Sequence, residues 1–437
     1  MTTQTKIALV GSGPAALFAL EKLRQNPNTT IHVYEQWPFP FGLVRYGVSP
    51  DHQGVKNIQR NLARHLAADN VRLLGGITIN KHISVSELRR HYHATLLGIG
   101  AQIDTTLNIP GENLPQVHGS SRLAGWYNTH PDHIRPPPLA SKVALIGQGN
   151  VAIDAARVLL LDHGDFNGSD LGQQPTRQLR PQPVQEVAML GRRGPAEAKF
   201  TTPELREICR LKGVRVEFEG ADRESVKQRL DSLDEAQFPT SAEFRRVRGN
   251  LQAILQSLEE PNSGERLLRF IFGARPLEFV ADGDALAGVR CARTASDNGR
   301  WRDTGEQFTE PCGFAVTCIG YRAAPLEGVP YDDGRGIYPN ENGRIADGLW
   351  SVGWCKRGPS GAIANNRKES HAVAEALLAE VGGGDLPPID DLLAARDIRP
   401  VGWEQWLAIE KAEERRASEN RVREKFTSAA AALEVLK

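Results

Sequence analysis

Gly11, Gly13 and Ala16 in KIALVGSGPAALFALEKL, and Gly147, Gly149 and Ala152 in KVALIGQGNVAIDAARVLL, repeat one pattern, G-x-G-x-x-A. In such a turn the first glycine permits a sharp reversal and the second lets the backbone approach a phosphate. The small third residue lets a helix pack closely on a strand. The chemistry this serves is anion binding. The following helix opens at Pro14-Ala15 in the first copy and at Asn150-Val151 in the second, and its unpaired N–H groups and dipole favour a pyrophosphate. One such turn also occurs for structural reasons alone, but two in the same strand–turn–helix setting point to two bound dinucleotides.

The copies differ where a dinucleotide's ribose is read. After the first, Ile31-His32-Val33-Tyr34 reads as a second strand ending in Glu35, an acid placed to accept hydrogen bonds from ribose hydroxyls and suited to a free 2′-OH. After the second, the strand Val187 to Leu190 ends in Arg192-Arg193 with no acid. Two guanidinium groups there can chelate a 2′-phosphate through charge-assisted bonds. The second site therefore reads as NADP-specific, against the alternative of an ordinary solvated arginine pair.

These turns need strands and helices to hold them, and the chain has room for both. Its 437 residues exceed what a single core serves, and 40% hydrophobic and 24% charged residues are ordinary for a globular protein. Lysine plus arginine equals aspartate plus glutamate at 53 each, so no global field draws a nucleic acid and any charged partner must meet a local patch. No run approaches a membrane span and no leader precedes the first strand, so the expected compartment is the cytoplasm. The five cysteines (Cys209, Cys291, Cys312, Cys318, Cys355) show no C-x-x-C and no metal-ligand spacing. No disulfide framework, iron–sulfur cluster, metal site or redox-active pair is indicated.

Along the first unit, Val55 to Ala68 reads as helical, Val71 to Ile79 as a strand, and LLGIGA (Leu96 to Ala101) as a closing strand. FAVTCIGY (Phe314 to Tyr321) closes the second unit in the same way, so the two halves look like an internal repeat. Two polar stretches, Asp162 to Pro183 and Asp222 to Gly264, read as surface excursions, the latter largely helical. Around Arg135-Pro136-Pro137-Pro138 the composition shifts as at an interdomain link. GLWSVGWCKRGPSGAIANNRKES from Gly348 reads as strand, glycine-rich loop and helix. From Glu404 a charged helix reads as a solvated face.

Five segments in order, GSGPAA at Gly11, PFGLVRYGVSPDH from Pro40 to His52, GQGNVAIDAAR from Gly147, RRGPAEAKFTTPELRE from Arg192 and WCKRGPSGAIANN from Trp354, together resemble the adrenodoxin-reductase-like ferredoxin–NADP reductases, including their bacterial members. The resemblance implies an α/β, glutathione-reductase-like fold of two Rossmann-like dinucleotide-binding domains. Residues 1–104 and 324–437 would form an FAD domain, with an NADP domain, 105–323, inserted between them. It further implies electron flow from NADPH through FAD to an iron–sulfur ferredoxin. Carried onto matching positions, Gly11, Gly13, Pro14, Ala15, Glu35, Leu43, Trp354, Gly361, Ala362 and Ile363 would hold FAD. Gly147, Gly149, Asn150, Val151, Ala152, Arg192, Arg193, Glu204 and Gly361 would meet NADP(H). His52, Asp154 and Glu204 correspond to the family's residues near the reactive ring. On residue type alone a histidine in the turn SPDHQ is a surface residue, although its reference pKa near neutrality suits proton handling.

Lys199 stands where the family is apolar, which bears on local packing only. Trp354 stands where disulfide reductases place an aspartate. Ferredoxins are acidic, and Arg245, Arg246 and Arg248 are the densest basic candidate for docking one, the alternative being a solvated helix face. An NADPH-dependent flavin monooxygenase or quinone reductase would share both glycine turns. A redox-sensing binding protein would hold the nucleotides without turnover.

Overall fold

Short apolar runs bounded by glycines form the central strands of two six-stranded sheets in the computed structural model, which describes residues 4–297, 299–361 and 363–437. The first sheet runs Arg344–Ala346, Leu349–Ser351, Ala94–Leu97, Thr5–Val10, Thr29–Glu35, Val71–Gly75, parallel except where Arg344–Ala346 folds back on Leu349–Ser351. The second is parallel throughout: Val117–Gly119, Phe314–Thr317, Lys142–Ile146, Glu186–Gly191, Gly264–Phe272, Gly213–Glu219. In both, the strand that enters the glycine turn lies between the closing strand and the strand next in sequence. Strand order reverses at that point, and a crevice opens there for a ligand. A three-stranded antiparallel sheet, Ala274–Asp282, Ala285–Asp297 and Arg300–Pro311, extends from the second sheet. Ile103–Asp104 pairs antiparallel with Tyr321–Arg322, so the two crossings between the large sheets run side by side.

Each large sheet buries its own core. Ile7, Leu9, Leu17 and Leu20 pack with Val33 and Leu96 in one, and Val143, Leu145, Ile153 and Val158 with Met189 and Val316 in the other. The expected elements are present with altered edges. The helical stretch is split into Gln53–Lys56 and Ile58–Leu66, and the strand from Val71 stops at Gly75 because Gly76 turns with φ +82°. Among the described residues no helix is long and apolar enough to cross a membrane.

Three expectations are corrected. The stretch from Asp162 is no excursion: Phe166, Ser169, Asp170 and Leu171 are buried. Helix Ser241–Glu259 lays Val247, Leu251 and Ile254 into the second core. The C-terminal helix Trp403–Arg415 buries Trp406, Ile409 and Glu413 rather than presenting a solvated face. Charges in these elements meet partners only in three dimensions. Glu413 accepts from Arg45 Nη2 at 2.6 Å, and the Arg45 guanidinium lies over the rings of Phe39, Tyr46 and Trp406. The Asp170 carboxylate lies between two buried ammonium groups, Lys56 Nζ at 2.8 Å and Lys425 Nζ at 2.7 Å. The early loop, the 162–173 stretch and the C-terminal segment are thereby fixed to one another. Burial opposes the ionised form of Asp170, but the two lysines hold its pKa well below the usual carboxylate range.

Candidate active site at the two glycine turns

In the first turn Gly11 adopts φ +98°, and a Cβ there would sit 2.5 Å from the carbonyl of Gly98. Gly147, at φ +133°, would meet the Cys318 carbonyl at 2.3 Å. Conformation and packing therefore require both leading glycines. The second glycines differ. Gly13 (φ −73°) and Gly149 (φ −120°) have backbones open to any residue, and nothing lies within 4 Å of a Cβ built on either. Nothing in the protein requires glycine at these positions, as expected where the missing Cβ makes room for a ligand. Both cap helices that lack a side-chain cap and an acid in the first turn, Pro14–Leu23 and Asn150–Leu160, so the N–H groups there stay available to phosphate.

Around the first turn the chain builds a cradle. Glu35 is buried; its Oε2 accepts from Ser12 N at 3.1 Å and Ser12 Oγ at 2.6 Å, and its Oε1 accepts from Trp37 N at 3.2 Å. Burial raises its pKa, and these bonds oppose the shift. Phe41, at φ +86°, donates its N–H to the Ser12 carbonyl and brings the Pro40–Gly42 loop over the turn, a strained backbone of the sort found at ligand clamps. Leu43 follows, 40% exposed although apolar. From the C-terminal part, the turn Gly353–Trp354 approaches so closely that a Cβ on Gly353 would lie 2.4 Å from that of Ala15. Trp354 Nε1 is buried without a partner, and its ring is near-parallel to that of Tyr321, with centroids 6.3 Å apart. Gly361 follows with φ +79° and Ile363 begins a short 3-10 turn, while Ala362 lies outside the described residues. An acidic ribose end, an open phosphate turn, an exposed apolar loop and an orphan indole N–H fit a flavin dinucleotide.

At the second turn Asn150 Oδ1 accepts from Thr201 N at 2.7 Å, fixing the helix start to the loop after Arg193. Val151 and Ala152 continue that helix, with Ala152 fully buried against the strand. Arg192 and Arg193 are exposed, and neither side chain meets a carboxylate among the described residues. Their backbone is pinned: Thr294 Oγ1 donates to the Arg192 carbonyl at 2.7 Å and Gly273 N to that of Arg193 at 3.1 Å.

Between the turns, ligand atoms of His52, Asp154 and Glu204 come within 4.8 Å of one another, although their segments are remote in sequence. Three further residues that sequence reasoning missed complete the cluster. His52 Nε2 lies 3.2 Å from Glu207 Oε1, Asp51 pairs with the Arg157 guanidinium, and Arg157 Nη2 donates to Asp154 Oδ1 at 3.1 Å. The signal that could have found Arg157 and Glu207 is their i,i+3 spacing from Asp154 and Glu204, each on one helix face; Asp51, in a turn, has no such signal. The bond to Glu207 raises the pKa of His52 against burial and lowers that of Glu207. Burial raises Asp154 and Glu204, the latter further through Asp154, and Glu204 Oε2 is itself buried without a partner.

Among the basic docking candidates, Arg245 and Arg248 are exposed, but Arg246 is half-buried, bonded to the Ala198 carbonyl and Glu243. All five cysteines are free, and only Cys318 is other than buried.

Two phosphate turns on two parallel sheets, one with an acidic and one with a basic ribose end, define a two-dinucleotide flavoprotein. Comparison with known proteins narrows the class. The chain is 34% identical to mitochondrial NADPH:adrenodoxin oxidoreductase of Salvelinus fontinalis, over 98% of this chain and 91% of that one. It is likewise 34% identical to NADPH-ferredoxin reductase FprA of Mycobacterium tuberculosis, over 98% of both. A solved structure of that FprA in complex with NADPH superposes with TM-score 0.91 at 33% identity, covering 99% of each chain. No family model matches the chain. The protein belongs to the adrenodoxin-reductase-like family of NADPH–ferredoxin reductases.

Proposed function

We propose that this protein is an FAD-dependent NADPH:ferredoxin oxidoreductase. The observation that carries the reading is the pair of glycines, Gly13 and Gly149, left without a Cβ where nothing in the protein requires it. FAD, when bound, supplies the exchange between a two-electron hydride and single electrons. Gly11, Gly13, Pro14, Ala15, Glu35, Leu43, Trp354 and Gly361 to Ile363 would hold it, the N-terminus of the helix at Pro14 serving its pyrophosphate and Glu35 its ribose. Gly147, Gly149, Asn150, Val151 and Ala152 would meet the pyrophosphate of NADPH, and Arg192 and Arg193 its 2′-phosphate. His52, Asp154 and Glu204 would act at the nicotinamide end: the bond to Glu207 raises the pKa of His52, whose reference value lies near neutrality, and burial raises those of Asp154 and Glu204 while Arg157 opposes the shift at Asp154.

Domain limits of 1–104 with 324–437, and 105–323, accord with the paired crossing strands Ile103–Asp104 and Tyr321–Arg322. The acceptor is an acidic iron–sulfur ferredoxin, and Arg245 and Arg248, exposed on one helix, are the cations offered to it; Arg246 is committed elsewhere. Free, mostly buried cysteines accord with a cytoplasmic setting. The test is NADPH-driven cytochrome c reduction with and without an added ferredoxin. Strong stimulation supports the reading. Indifference to ferredoxin alongside rapid oxygen or quinone consumption would replace it with a monooxygenase or quinone reductase. Neutralising Arg245 and Arg248 slows only the ferredoxin step; equal loss in flavin reduction by NADPH would remove the docking role.

A further inference from the structure

The most thoroughly buried charge near the reactive cluster is Arg157, on the helix Asn150–Leu160, with its side chain 1% exposed. Its fork serves several segments at once. Nη1 pairs with Asp51, on the loop that descends from the first sheet, and lies 3.4 Å from Glu207 Oε1 on helix Thr202–Ile208. Nη2 donates to Asp154 Oδ1 at 3.1 Å and lies 3.5 Å from His52 Nδ1. Asp51 is braced in turn by Ser49 Oγ at 2.6 Å.

A guanidinium only donates, so the His52 nitrogen facing it must accept. Asp154 Oδ1 is 3.9 Å from the same Nδ1 and would otherwise draw a proton onto it, but that oxygen is already engaged by Arg157. The other ring nitrogen, Nε2, then carries the hydrogen and directs it to Glu207. We propose that Arg157 is the positioning residue of this site, holding the His52 ring between the two sheets with Nδ1 unprotonated and Nε2–H turned to Glu207.

The groups facing the ring are Asp51 on its own loop, Asp154 and Arg157 on one helix, and Glu204 and Glu207 on another; Tyr127, on helix Ser120–Tyr127, lies behind Asp154. Arg157 is the one cation among them. Without it, Asp154 and Glu207 would flank both ring nitrogens, and His52 would become a trapped imidazolium. Arg157 thus keeps His52 able to give up and regain its proton. The bearing of this on turnover rests on the reductase reading above, but the tautomer does not.

The test is histidine-selective ¹⁵N NMR of the FAD-loaded protein across pH, with the His52 signal assigned by its loss in His52→Gln. In wild type, His52 on the alkaline side of its midpoint is expected to carry its proton on Nε2. In Arg157→Gln the His52 midpoint rises by a unit or more, a tenfold shift toward the cation at fixed pH, and the proton appears on Nδ1 as well. Arg157→Lys restores the charge and returns the midpoint toward wild type without restoring the fork. A folded, FAD-loaded Arg157→Gln protein with unchanged midpoint and tautomer would overturn the proposal. Should that variant not fold, wild type alone decides, because a neutral His52 protonated on Nδ1 overturns it too. The expected tautomer in a protein that ferredoxin fails to stimulate would remove the reductase reading and leave this one standing.

Discussion

Replacing both Arg192 and Arg193 by alanine should remove most of the advantage of NADPH over NADH. Both guanidinium groups are exposed and unpaired with any carboxylate among the described residues, so their removal strands no buried partner. The loop stays in place because Thr294 and Gly273 hold it through its carbonyls. A charge-assisted hydrogen bond contributes about 1.5–3 kcal/mol, and solvent screening at an exposed site reduces that to about 1.5 kcal/mol for each arginine. Two such bonds give about 3 kcal/mol, or about a hundredfold in the dissociation constant of NADPH, with almost none for NADH. The assay is stopped-flow bleaching of the flavin at varied NADPH and NADH, with thermal unfolding as a control that should not move. A double variant that keeps most of its preference for NADPH would refute the argument and return the arginines to a solvated surface pair.

Three other outcomes follow from the same geometry. Gly13→Ala should leave the flavin-free protein as stable as wild type, since its φ and surroundings accept a Cβ, yet weaken FAD retention; lost stability in the flavin-free form would mean that packing, not a ligand, requires the glycine. Asp170→Asn should cost about 3–5 kcal/mol in denaturant unfolding, the usual result of removing one partner from a buried ionic group, and a change under 1 kcal/mol would show the lysines to be solvated. For His52 and Glu207 the signs differ: the raised histidine pKa stabilises the fold below its reference 6.5 and loses effect as pH rises through the folded value, while the lowered glutamate pKa stabilises above its reference 4.5. The melting-temperature gap between wild type and Glu207→Gln should therefore be widest between the reference values of 4.5 and 6.5 and narrow as pH rises through the folded value of His52, and a gap that widens in alkali would contradict the pairing.

The glycine turns, the strands entering them and the differing ribose ends were legible because each is a local pattern of a few residues with one backbone solution. The charged cluster was legible only in part. Resemblance pointed to His52, Asp154 and Glu204, but Arg157 and Glu207 look like ordinary solvated charges on their helices until a loop from the other sheet lays Asp51 and His52 against them. The C-terminal helix misled for a related reason. Its Glu413 counts as a solvated charge in any linear reading, and only docking onto Arg45, which lies 368 residues away in sequence, lets it be buried. Within the 162–173 stretch Ser169 and Asp170 are buried, and Asp170 is polar because it meets Lys56 and Lys425 inside the protein, while Asp165 and Asn167 face water.

The knot around Asp170 also sets a timetable for biogenesis. Lys425 closes it and donates as well to the carbonyl of Asn128, 297 residues earlier in the chain. At a synthesis rate of about 5–20 residues per second, a nascent chain that has completed both phosphate turns still waits on the order of ten seconds or more for that lysine. Until then Asp170 has only Lys56 to neutralise it, and the surfaces to be buried by Trp406 and Phe426 stand open to water or to a chaperone. A segment made well after both phosphate turns is thus the one that completes the tie between the helix carrying Lys56 and the stretch around Asp170.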